Sequence, residues 1–169
     1  EEPFFDVDDT APVIAEVTAV TTPTNDNTPN YTFSSDEEGT INYGGSCRSR
    51  TTSAVSGNNN ITFITLSDGT YSDCTITVSD EAANESNLLT LTSFLVDATG
   101  STLSETNAIA ISTNDTTPNY TFVSSEAGTI TYSGSCSSST TSAIAGTNTI
   151  TFNALIDGTY SDCQITITD

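Results

Sequence analysis

The 169-residue chain carries 22 Asp plus Glu against two Arg, with no Lys, His, Met or Trp and four Cys, for a formal net charge of -20. Two cations cannot hold a phosphate backbone or an anionic membrane surface, which excludes nucleic acid and lipid headgroups as partners, and without His or Lys the commonest general base, transition-metal ligand and Schiff-base amine are missing. With 34% hydrophobic residues any core is thin and spread over short elements, and no run reaches the roughly 18–20 apolar residues of a membrane helix, so no membrane insertion is expected.

Taken in order along the chain, the signals are all for strands. Residues 13–20, 30–34 (NYTFS), 40–44 (TINYG), 61–66, 71–79 and 88–96 alternate apolar and polar side chains, and turn clusters such as SGNNN and SDGT separate them. The alternation points Tyr31, Phe33, Ile41, Tyr43, Ile61, Phe63, Cys74, Ile76 and Val78 inward. Tyr71 is out of phase with Cys74, which predicts a bulge inside the 71–79 strand. Helix signals are nearly absent: β-branched residues dominate, and the one Ala/Glu stretch, 81–85, is too short.

Comparing the chain with itself shows a repeat. Residues 24–80 (TNDNTPNYTF…DGTYSDCTITVSD) recur at 113–169 (TNDTTPNYTF…DGTYSDCQITITD) with a constant offset of 89 and no gap, and about two-thirds of the aligned positions are identical. Six or seven short strands in ~90 residues is the count of an immunoglobulin-like sandwich. The expected fold is therefore all-β, two tandem immunoglobulin-like β-sandwiches, with a strand tail at 1–8, a first domain at 9–97 and a second at 98–169.

Each repeat holds one cysteine pair, Cys47 with Cys74 and Cys136 with Cys163. Identical placement in both copies predicts one disulfide within each repeat, worth ~3 kcal/mol in the chain-entropy account. Two Cys without His do not complete a zinc site, and the spacing is not that of a redox motif. An oxidising, extracellular or cell-surface location follows. Asn30, Asn60, Asn84, Asn114 and Asn119 each open an N-x-Ser/Thr triplet, a frequent chance event in a chain so rich in Ser and Thr.

The acids are placed unevenly. In a sandwich, Asp6, Asp8 and Asp9, then Asp36, Glu37 and Glu38, then Asp80 and Glu81 fall at one pole of the first repeat, and Asp97, Glu126 and Asp169 take matching places in the second. Asp26, Asp68, Asp115 and Asp157 fall at the opposite pole. Converging carboxylates repel unless a cation neutralises them, and oxygen ligands without His or Cys point to Ca2+ at the domain junction. A solvated acidic surface is the alternative. Paired acids also serve glycoside hydrolysis, but here no Trp lines a cleft and the acids sit at loop tips. No nucleophile and base pair can be proposed, so no enzyme is expected.

The pieces VDDTAPVIAEV, TNDNTP, EEG and EAG, DGTYSDC and VSDEAANES resemble the bacterial immunoglobulin-like repeats of large calcium-dependent surface adhesins. That resemblance implies rigid rods of stacked domains, with calcium stiffening the joints through acids matching Asp8, Glu37, Asp80, Asp97, Glu126 and Asp169.

Aligning the repeats leaves the second without a counterpart of the 88–96 strand. Meanwhile residues 1–8, EEPFFDVD, align with residues 90–97, TLTSFLVD. The N-terminal segment of one molecule is therefore expected to complete the second domain of the next, with Pro3, Phe4, Phe5 and Val7 as assembly residues and Phe5 and Val7 pointing inward. A fragment of a longer repeat protein explains the same ends. The expected partners are copies of the chain, joined head to tail, or neighbouring repeats; the alternative function is a binding module whose loop tips take a glycan or a surface ligand.

Overall fold

The structure, a computed structural model, describes residues 7–169. Asp6 and the expected assembly residues Pro3, Phe4 and Phe5 lie outside the described residues; Val7 is exposed. Among the described residues there is no helix, and hence none long and apolar enough to cross a membrane. The chain divides into two compact units, Glu1–Thr99 and Gly100–Asp169.

Among the described residues the first unit has nine strands: β1 (Ile14–Thr18), β2 (Asn30–Ser35), β3 (Gly39–Gly44), β4 (Ser53–Ala54), β5 (Gly57–Thr62), β6 (Gly69–Tyr71), β7 (Thr75–Ser79), β8 (Leu89–Thr90) and β9 (Phe94–Val96). They pair antiparallel into three sheets, in the orders β1-β2-β5, β4-β3-β7-β8 and β6-β9. Tyr31, Phe33 and Ile61 from the first sheet, Ile41, Ile76 and Val78 from the second, and Phe94 and Val96 from β9 form one buried cluster. Each such side chain contributes about 1.5–3 kcal/mol on leaving water, so this shared cluster holds the sheets together. The alternation that selected these residues is the strand period of two meeting one apolar face.

Three strand expectations need correction. Residues 71–79 are not one bulged strand: the chain leaves β6 at Tyr71, passes Cys74 and enters β7 in a different sheet. Residues 88–96 likewise split, β8 joining β7 and β9 joining β6. The strand expected at 61–66 is β5, which starts earlier, in the Asn-rich segment read as a turn. Asn59 is buried there because its side chain accepts from the Val55 amide (2.8 Å) and donates to the Val55 and Gly57 carbonyls (2.9 and 3.1 Å). Those bonds remove the cost of an unpaired buried amide.

The second unit has six strands: β10 (Leu103–Asn107), β11 (Asn119–Ser124), β12 (Gly128–Ser133), β13 (Ser142–Ala143), β14 (Gly146–Thr151) and β15 (Gln164–Thr168), in sheets β10-β11-β14 and β13-β12-β15. Its buried cluster is smaller: Phe122, Ile130, Cys136, Ala143, Ile150 and Phe152. Residues 158–160, the counterpart of β6, form no strand.

Both disulfides are formed as expected, Cys47–Cys74 and Cys136–Cys163, with Cα atoms 5.3 and 5.2 Å apart. Their corners are built alike. Gly45 and Gly134 sit at φ 70° and 78°, and a Cβ at either would run into the Asp73 or Asp162 carbonyl. The neighbouring Ser46 and Ser135 hydroxyls donate to the Asp73 and Asp162 carboxylates at 2.8 Å, which holds both acids below their ordinary pKa. A chain with two such bridges folds in a non-reducing environment.

Candidate functional site

Two features of the described residues carry chemistry: a carboxylate cluster in the first unit and a groove in the second.

Asp8, Glu37 and Asp80 each bring a carboxylate oxygen within 4.8 Å of the other two. Asp8 stands before β1, Glu37 lies in the turn between β2 and β3, and Asp80 directly follows β7, so three chain-distant segments meet at the cluster. The turn at 80–84 is shaped by Asn84. Its amide and side chain donate to Asp80 Oδ1 and Oδ2 (2.8 and 2.9 Å), and its side chain also donates to the Asp8 carbonyl (3.0 Å). Ala83 takes φ 69° to close this turn. Partial burial raises the Glu37 pKa, and the charges of Asp8, Asp36 and Asp80 raise it further. Asp80 is held below its ordinary value chiefly by the Asn84 side chain.

The other expected ligands are not part of this cluster. Asp9 is exposed and outside the cluster. Asp26 accepts from the Thr28 amide and hydroxyl (2.8 and 3.0 Å), and Asp115 does the same with Thr117 (2.9 and 3.2 Å); these are turn-forming acids. Asp68 Oδ1 accepts from the Ala98 amide at 2.8 Å, and hydrogen bonds from Thr99 and Ala98 lower its pKa. In the first unit the Asp97 amide donates to the Thr24 carbonyl (2.9 Å). In the second, Glu126 accepts from the Ser101 hydroxyl (3.3 Å), while Asp157 and Asp169 are exposed.

The groove lies in the second unit, has a volume of about 790 Å³, and is floored by Tyr120, Phe122, Phe152, Tyr160 and Cys163. Its counterpart in the first unit is filled by residues 91–96: Leu91, Phe94 and Val96 are buried there, and Phe94 stacks on Tyr71 and Phe63 with ring centroids 5.3 and 6.1 Å apart. The consequences can be read position by position. Tyr31, Leu66, Cys74, Ile76 and Val78 are buried, whereas their equivalents Tyr120, Leu155, Cys163, Ile165 and Ile167 are only partly covered. Ile111 and Ile156, also at the groove, are 109% and 84% exposed. Burial and the neighbouring Glu105 raise the Tyr120 hydroxyl.

Sequence reasoning missed Asn84 as the clamp between two cluster acids. The D-x-x-x-N spacing of Asp80 and Asn84 was the available signal for the clamp. Comparison with protein-family models, curated proteins and solved structures finds no match.

Proposed function

We propose that the protein is a non-enzymatic structural protein of the extracellular space or cell surface, made of two immunoglobulin-like sandwiches. It acts as a subunit of a head-to-tail filament, or as a stalk segment of a surface adhesin akin to the bacterial immunoglobulin-like repeats that its motifs resemble. The observation that carries the reading is the second unit's groove, whose floor residues Phe152 and Tyr160 are the counterparts of Phe63 and Tyr71, on which Phe94 of β9 stacks in the first unit. A groove with an aromatic floor and a polar rim, beside the edge strand β15, is the kind of feature that strand addition uses.

The Asp8, Glu37 and Asp80 cluster fits a resident calcium ion. Three carboxylate oxygens within 4.8 Å can share one cation at calcium's 2.3–2.6 Å bond lengths, and the donor set is all oxygen. The ion would neutralise the repulsion that raises Glu37 and pin the entry to β1 against the turns after β2 and β7. The residues themselves position the acids, through the Asn84 clamp.

Electron microscopy and sedimentation of the purified chain in about millimolar calcium, then after chelation, test the function. Fibres in calcium are the expected outcome. Monomers under both conditions would remove the filament and leave the stalk.

A further inference from the structure

The first unit is a template for what fills the groove of the second. There β9 pairs antiparallel with β6 in the register Gly69↔Val96, Thr70↔Leu95, Tyr71↔Phe94. On its other side it runs parallel to the segment at Thr24, which donates to the Leu95 carbonyl (3.0 Å) and accepts from the Asp97 amide (2.9 Å). The Ala98 amide then closes on Asp68 (2.8 Å). The repeat offset of 89 carries each of these acceptor positions onto the second unit: Gly158, Thr159, Tyr160, Thr113 and Asp157. The same offset carries residues 94–98 onto Phe5, Asp6, Val7, Asp8 and Asp9.

We infer that residues 3–8 of a second copy of this chain dock in the groove in one register, antiparallel to residues 158–160, with Phe5 anchored in the slot between Tyr160 and Phe152. The inference rests on the reading of the second unit as a strand acceptor and names its partner. Phe5 takes the place of Phe94, and Val7 that of Val96, both side chains that are fully buried in the first unit. Asp6 takes the place of Leu95, which is 38% exposed, so a charge is tolerated there.

The differences between the two segments are informative. In the first unit the Thr22 hydroxyl accepts from the Leu95 amide (2.9 Å). Its equivalent at the groove is the exposed Ile111, and the tail carries Phe4 where the internal strand has Ser93. Groove and tail have thus both exchanged a polar group for an apolar one along the same edge. The match stops at Pro3. Its equivalent Thr92 gives an amide and a hydroxyl to Glu16 (2.9 and 2.6 Å), and Pro3 has no N–H to give Glu105. Glu2 falls at the position of the buried Leu91 and is left outside the slot. The tail acids face Glu105, Asp115 and Asp157 around the groove, so docking strengthens with added salt.

Two measurements test this. Synthetic peptides of residues 90–97 and 1–8 are titrated into the full chain while the amide resonances of residues 158–160 are followed; both are expected to shift them. Response to neither removes the acceptor reading together with this inference. Response to 90–97 alone keeps the acceptor and overturns docking by a second copy. Oxidation of the Asp6→Cys, Thr159→Cys chain is then expected to give a disulfide-linked ladder of oligomers, which Phe5→Ala abolishes. The Phe4→Cys, Thr159→Cys chain, two residues out of register, is expected to stay monomeric; equal ladders from both pairs overturn the register. The melting curve of the Phe5→Ala chain is compared with the parent's, so that loss of the ladder is separated from loss of folding.

Discussion

Glu16 shows how much a single side chain can organise. Its carboxylate accepts from the Thr92 hydroxyl and amide and from the Tyr31 hydroxyl (3.0 Å), tying β1 and β2 to the segment between β8 and β9. Burial pushes its pKa up, but the Thr92 and Tyr31 bonds outweigh that and leave it below the ordinary 4.5. Tyr31 is pushed strongly upward by the same burial and by the Glu16 charge. Replacing Glu16 by Gln is expected to cost the first unit about 1–2 kcal/mol at neutral pH, since hydrogen bonds to a charged group are the stronger ones. A depressed carboxylate stabilises the fold above its unfolded pKa, and the effect is lost as pH falls through the folded value. The gap in melting temperature between parent and Glu16→Gln should therefore be full near pH 7 and close as the pH falls below the ordinary 4.5 and through the lowered folded value. A gap that stayed constant over that range would mean that the contact works through packing alone. Nothing in the sequence marked Glu16, because an acid in an alternating strand reads as a solvated position. The inward aromatics were legible because the period of two needs no knowledge of partners.

At the scale of elements, the informative events are the two strand breaks, at 72–74 and 91–93. Both lie next to a disulfide cysteine or its cover: Leu91 donates its amide to the Cys74 carbonyl at 3.0 Å. The apolar pattern on either side of each break is unchanged, which is why the sequence reads as one strand and only the sheet assignment differs. The acid cluster was half legible for a related reason. Asp8, Glu37 and Asp80 follow from which loops share a pole, whereas Asp26 and Asp115 have the same chemistry but are engaged by a threonine two residues on. The disulfide itself separates the two units. Cys74 is 1% exposed beneath the 91–96 segment, and Cys163 is partly exposed at the groove. Reduction without denaturant, followed by differential alkylation and mass spectrometry, should find Cys136–Cys163 opened first, because thiol exchange needs access to a sulfur. Equal rates would mean that the groove is closed in solution.

For the whole molecule, the unequal cores predict unequal melting. Among the described residues the first unit buries sixteen in its cluster and the second six, and with one disulfide in each the difference in apolar burial decides the order. Calorimetry of the intact chain should give two transitions, the lower one from the second unit. Calcium and the groove ligand should then act on different peaks. An ion held by Asp8, Glu37 and Asp80 stabilises only the first unit, by about 2.7 kcal/mol when free calcium is a hundredfold above its dissociation constant. A peptide of residues 90–97 stabilises only the second. With a net charge of -20, any salt relieves self-repulsion and shifts both peaks together, so the calcium scan is compared with sodium chloride at matched ionic strength. Asp80→Asn should erase the calcium-specific shift of the upper peak while leaving the salt response intact. If calcium instead raised both peaks equally in parent and variant, its effect would be screening alone, and the carboxylate cluster would be a solvated acidic surface.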